Sequence, residues 1–233
     1  MLIQIYAFTD PETAVRAAFL GVDQIGFVAG EYGQVFGELS FERAREIVTA
    51  LPEGTVSVAL TMSDDVDEIL RMADAIQPNI IHISSDMELV GPDKMVALRA
   101  RLPKEIQVMK AIAVKDANSV ASAIEFAHVS DWLLLDSSRA GFPGVGATGM
   151  THDWGISRKI VESVSIPVIL AGGLTDRNVA QAIEAVRPTG VDSNTSTNRE
   201  GSRVEKDLKK ITAFVRAVRS LDESSQSLEG LPA

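Results

Sequence analysis

Val168-Ile169-Leu170-Ala171-Gly172-Gly173-Leu174-Thr175 runs into a helically spaced segment, Asp176 to Val186, and that segment into Gly190-Val191-Asp192-Ser193-Asn194. Two short apolar runs joined by a helix make a βαβ unit, whose right-handed crossover sets the two strands parallel. The paired glycines between strand and helix let the backbone approach a bound group and offer it N–H donors. They fit a plain tight βα turn equally well.

The same unit repeats outward to both ends of the chain. Strands are expected at Leu2 to Phe8, Gln24 to Val28, Val56 to Leu60, Ile80 to Ile83, Gln107 to Ile112, Trp132 to Leu135, Val168 to Ala171 and Gly190 to Asn194. Helices are expected at Pro11 to Leu20, Phe41 to Ala50, Asp64 to Ala75, Pro92 to Arg101, Ala117 to Ala127, Ile156 to Ser163, Asp176 to Val186 and Glu205 to Arg219. Asp10-Pro11, Ser40 and Thr175 stand where orphan N–H groups at helix starts need capping. Strands and helices in equal number close into a single α/β (β/α)8 TIM barrel over residues 1–220, leaving 221–233 as a Ser- and Glu-rich tail expected to fray. The rival, an open doubly wound sheet, lacks its Gly-x-Gly-x-x-Gly turn after the first strand.

Composition agrees with buried parallel strands under helices: 233 residues, 45% apolar but only 5% aromatic. The formal charge of -10 disfavours nucleic acid and an anionic membrane surface, yet leaves room for a small anion held by backbone amides. Without cysteine there is no disulfide, thiolate metal site or cysteine nucleophile. The start of the chain has no basic, apolar leader pattern and no long apolar run follows, so a soluble cytoplasmic protein, monomer or homodimer, is expected.

In a barrel of this kind, chemistry sits just beyond the C-terminal ends of the strands. Gly172 and Gly173 there, with Asn194, Thr195 and Ser196 after the last strand, are expected to bind phosphate, and Asp192 to accept from sugar hydroxyls. Asp136 follows three leucines and is the first candidate for general acid or base; a capping or salt-bridged aspartate is the alternative. The segment 141–149 is placed and composed as a lid, with Thr148 assigned to substrate. Lys110, inside an apolar strand, is expected to reach a carboxylate or a ligand phosphate within the barrel, or to serve as a Schiff-base lysine. His82, His128 and His152 show no metal-ligand spacing, so neither metal nor cofactor is expected. His82 is placed on the fourth strand, where its ring can turn to the pocket.

At these positions the sequence resembles the phosphoribosylanthranilate isomerase family, barrels of the ribulose-phosphate-binding type that carry out an Amadori rearrangement in tryptophan biosynthesis. The landmarks are Thr9-Asp10-Pro11-Glu12, Gly21-Val22-Asp23-Gln24-Ile25-Gly26-Phe27-Val28, Lys110-Ala111-Ile112, Asp131-Trp132-Leu133-Leu134-Leu135-Asp136, Gly146-Ala147-Thr148-Gly149 and Leu170-Ala171-Gly172-Gly173-Leu174-Thr175. The resemblance implies that Asp136 is the general acid, that Asp192 contacts ribose, and that Gly172, Gly173 and the last loop hold phosphate.

Two departures stand out. Gln4-Ile5-Tyr6-Ala7 replaces the family's Lys-Ile-Cys-Gly, so the cysteine base is absent and Tyr6 or His82 must take its role. Gly33-Gln34-Val35-Phe36-Gly37-Glu38-Leu39-Ser40 carries no arginine where the family binds the anthranilate carboxylate, and Glu38 is expected to repel one. A phosphosugar isomerase, a non-catalytic phosphometabolite-binding barrel, and an epimerase or aldolase therefore all stay open.

Overall fold

The computed structural model describes residues 1–138, 144–146 and 151–229, with side chains as far as residue 221. Among the described residues, eight parallel strands form the barrel wall: β1 (Leu2–Ile5), β2 (Gln24–Ala29), β3 (Val56–Thr61), β4 (Ile80–Ile83), β5 (Gln107–Ala113), β6 (Trp132–Asp136), β7 (Val168–Leu170) and β8 (Gly190–Ser193). Each pairs with its successor, and β1 closes the ring by pairing with both β2 (Gln4↔Gln24) and β8 (Gln4↔Asp192). A short extra strand, Glu38–Leu39, adds to the outer end of β2. The (β/α)8 barrel expected from the alternation is the observed fold.

The helices between them are α1 (Pro11–Phe19), α2 (Phe41–Ala50), α3 (Val66–Ile76), α4 (Pro92–Arg99), α5 (Asn118–Ala127), α6 (Trp154–Ser163), α7 (Val179–Val186) and α8 (Leu208–Glu229). Asp10 caps α1 by accepting from the Thr13 amide at 2.7 Å, and Ser40 caps α2 through the Arg43 amide at 3.3 Å. Thr175 does not cap α7, which begins three residues later than expected. Asn178 instead accepts the Thr175 amide at 2.7 Å and donates to the Gly173 carbonyl at 3.0 Å, holding Gly173 to Thr175 as a separate turn. The helical backbone of α8 carries on to Glu229, into the stretch expected to fray. Among the described residues no helix is long and apolar enough to cross a membrane.

Strand alternation divides the core in two. Ile3, Ile5, Ile25, Phe27, Ile81, Val108, Leu133 and Val191 pack outward against the helices, which contribute Ala14, Ile47, Met72, Phe126 and Ile160 to the same cluster. Tyr6, Val28, Val58, Ile80, Met109, Leu134, Ile169 and Ala171 point inward and fill the lumen. Gly26 of β2 makes room for the largest of these: a Cβ there would lie 2.4 Å from the Tyr6 ring. The lumen is thus plugged by packed side chains, and ligand space remains only above it, at the strand ends.

Lys110 is corrected by this parity. It shares a face with Val108 and Ile112 and therefore points to the helical layer, not into the barrel. Its ammonium donates to the Ser85 carbonyl at 2.6 Å and the Ile83 carbonyl at 3.4 Å and stands 5.5 Å from the Phe126 ring centre. Burial pulls its pKa down to about 7, with nearby Asp86 opposing. Neither the substrate-binding nor the Schiff-base role is open to an amine in that place.

Candidate active site

Two cavities open above the lumen. The larger, about 520 Å³, is walled by Val28, Val35, Leu60, Met62, Leu134 and Val145, and its polar lining includes Tyr6, His82, Asp136, Asp192 and Arg203. The smaller, about 200 Å³, is lined by Gly172, Gly173, Leu174 and Thr175 after β7 and by Ser193, Asn194, Thr195 and Ser196 after β8. Asp136, Asp192 and Thr195 line both. The carboxylates therefore stand at the seam where a ligand spanning the two cavities must pass.

Gly172 and Gly173 have φ of +86° and +61°, a left-handed turn that glycine adopts without the clash a Cβ brings. The two loops of the smaller cavity are tied at one atom. The Leu174 carbonyl accepts from Ser193 Oγ at 3.1 Å and from Ser196 Oγ at 2.8 Å, and the hydroxyls lie 2.6 Å apart. The Ser196 hydroxyl is thus tied to the scaffold. Lys206 is buried behind this wall, donating to the Asn194 carbonyl and Oδ1 at 3.0 Å each, to Thr197 Oγ1 at 3.3 Å and to Asn198 Oδ1 at 2.6 Å. The ammonium, with three N–H donors and no acceptor, is shared among these four oxygens.

Asp136 takes the Ser137 amide at 2.7 Å on Oδ1, while Gly146 comes so near that a Cβ on it would lie 2.3 Å from Oδ2. Burial pushes its carboxyl up to about 7, against the opposing pull of the Ser137 hydrogen bonds. Asp192 accepts from Gln4 Nε2 at 3.2 Å. Burial lifts it to about 7 as well, the Asp136 charge adding to the rise, and the Gln4 bond and Lys206 opposing it. With both carboxyls raised to about 7, one can hold a proton near neutrality while the other is ionised.

The structure brings Tyr6 and His82 together at the strand ends. Burial, reinforced by the Asp192 charge, holds the phenol well above its ordinary pKa, and burial pushes the imidazole down to about 3. Both are neutral at physiological pH. Thr148 lies outside the described residues. Of the expected lid, Gly144 to Gly146 are described: Gly144 bridges to Ser85, the Val145 amide donates to the Ser84 carbonyl at 2.9 Å, and Ser84 Oγ donates to the Val145 carbonyl at 3.0 Å.

Two cavities that share Asp136, Asp192 and Thr195 in their linings, on a closed barrel, invite comparison with known proteins. The model of the N-(5'-phosphoribosyl)anthranilate isomerase family matches residues 3–217. The chain belongs to this family. Among relatives, N-(5'-phosphoribosyl)anthranilate isomerase 2 of Methanosarcina mazei is 35% identical over 220 residues, covering 94% of this chain and 95% of its own length. The enzyme of Methanothrix thermoacetophila is 34% identical over 209 residues, covering 90% and 92%. The crystal structure of phosphoribosyl anthranilate isomerase from Thermotoga maritima superposes with a TM-score of 0.76 at 26% identity, over 94% of this chain and all of that one.

Several residues of this family member escaped sequence reasoning: Asn178, Arg203 and Lys206. Asn178 and Lys206 brace their own loops and Arg203 meets Phe36 of another, contacts that neither periodicity nor spacing encodes. Glu38 is corrected too. Its carboxylate does not face the ligand space but accepts the amides of Gly33, Gln34 and Val35 at 2.6, 2.8 and 2.9 Å, organising the loop after β2.

Proposed function

We propose that this chain isomerises a phosphorylated ribosyl arylamine, phosphoribosylanthranilate being the reference substrate, with Asp136 and Asp192 as its acid–base pair. The observation that carries this is the position of both carboxylates at the seam of the two cavities. Phosphate seated in the smaller cavity among Gly172, Gly173, Asn194, Thr195 and Ser196 and an aryl group in the larger put the ribose over the carboxylates. Protonated Asp136 gives its proton to the ring oxygen as the C1–O bond breaks and the amine nitrogen forms an iminium. Ionised Asp192 then removes the proton on C2, and the resulting enolamine tautomerises to the aminoketose. Asp192 takes the role that Tyr6 and His82, neutral and bonded to each other, are not poised to fill. No metal or cofactor enters these steps.

The test is turnover of phosphoribosylanthranilate by the purified chain. Asp136→Asn and Asp192→Asn are each expected to lower kcat by roughly a hundred- to ten-thousand-fold. Full activity in Asp136→Asn would remove Asp136 from the mechanism. The tyrosine in place of a thiol base favours a second reading, a phosphometabolite-binding barrel without catalysis. Calorimetric binding of the reduced product analogue together with no turnover would establish that reading instead.

A further inference from the structure

Arg203 lies in the loop between β8 and α8, and its guanidinium carbon stands 4.4 Å from the centre of the Phe36 ring, which belongs to the loop after β2. Both side chains line the larger cavity, and Arg203 is the one permanently cationic group among its described lining residues. Among the described residues the guanidinium makes no ion pair. A guanidinium stacked on an aromatic face keeps its N–H groups in the ring-parallel plane, directed outward and matched to the two oxygens of a carboxylate.

The two loops approach each other at Gly37 and Val204, and each is braced from within. A Cβ on Gly37 would lie 3.1 Å from Val204 Cγ1, the Asn198 amide donates to the Arg203 carbonyl at 2.8 Å, and Glu38 fixes the backbone that carries Phe36. Val28, Val35, Leu60 and Met62, which line the same cavity, suit a flat ring, and their side chains offer nothing to an anion. The two aspartates at the seam repel one. Among the described lining residues, the rim under Arg203 is the place where a negative group meets a full positive charge.

We propose that Arg203, stacked on Phe36, is the specificity-determining residue that binds the carboxylate of an aryl-carboxylate ligand in the larger cavity. The loop after β2, which has no arginine of its own, supplies the aromatic platform, and the loop after β8 supplies the cation. The inference rests on the isomerase reading, since it takes the ring-and-carboxylate part of that substrate class.

The test compares two reduced, open-chain aminoribitol 5-phosphates, one N-(2-carboxyphenyl) and one N-phenyl, by calorimetry on the full chain and its Arg203→Gln and Arg203→Lys variants. Wild type is expected to prefer the carboxylated ligand. Arg203→Gln is expected to weaken that ligand roughly 10- to 100-fold while changing the phenyl ligand less than about threefold, with Arg203→Lys between. Equal weakening of both ligands, or none, overturns the proposal while leaving the isomerase reading intact. Failure of wild type to bind either ligand overturns both.

Discussion

The Tyr6 hydroxyl lies 2.9 Å from Nδ1 of His82, deep in the ring of strand ends. With the imidazole neutral, a phenol donating to Nδ1 places the remaining proton on Nε2, a buried nitrogen without a hydrogen-bond partner among the described residues. The pair is a rigid, uncharged floor for the larger cavity.

Removing the phenol hydroxyl should therefore test packing more than chemistry. Tyr6→Phe is expected to keep kcat within about tenfold of wild type, where loss of a general base costs a hundredfold or more. Steady-state kinetics decides, and a loss as large as that of Asp136→Asn would make the Tyr6–His82 pair the base.

Gly26 and Tyr6 should behave as one packing unit. Gly26→Ala places a methyl 2.4 Å from the tyrosine ring, and overpacking of this kind is expected to cost about 1–3 kcal/mol, read by denaturant unfolding. In a Tyr6→Leu background the same substitution is expected to cost less, and an unchanged cost would show that the two are not coupled.

The carboxylates give two pH signatures. A pair that must hold one proton between two groups near 7 yields a bell-shaped kcat/KM centred near neutrality. For stability, Asp136 is raised in the folded state from 3.8 to about 7, so its contribution is present below pH 4 and is lost as pH rises through 7. Asn at that position has no such loss. The Tm of Asp136→Asn minus that of wild type is expected to climb from pH 4 to above 7, and a flat difference would mean that the Asp136 pKa is not raised.

The glycine pair offers a binding test. At φ of +86° and +61°, alanine at position 172 or 173 is expected to cost about 1–2 kcal/mol of backbone strain and to raise KM for a phosphorylated substrate. Titration with a phosphorylated ligand and its dephosphorylated counterpart checks where the effect falls. Equal weakening of the two would place the phosphate elsewhere.

The barrel was legible because its signals are local. Each strand announces itself as a short β-branched or leucine run, as in Trp132 to Leu135, and each helix by its spacing and caps, as at Asp10 and Ser40. The start of α7 lies three residues beyond the expected one, since Asn178 rather than Thr175 organises the turn before it.

The sequence by itself determined the order of strands and helices, the paired glycines, and the positions of Asp136 and Asp192 at strand ends, because each depends on neighbours a few residues away. Only the tertiary structure decided that Lys110 faces the helices, that Glu38 binds its own loop, and that Phe36 and Arg203 meet over one cavity. The reason is physical: side-chain direction follows from strand parity around a closed barrel, and contacts between loops more than a hundred residues apart exist only once closure has brought those loops to the same rim.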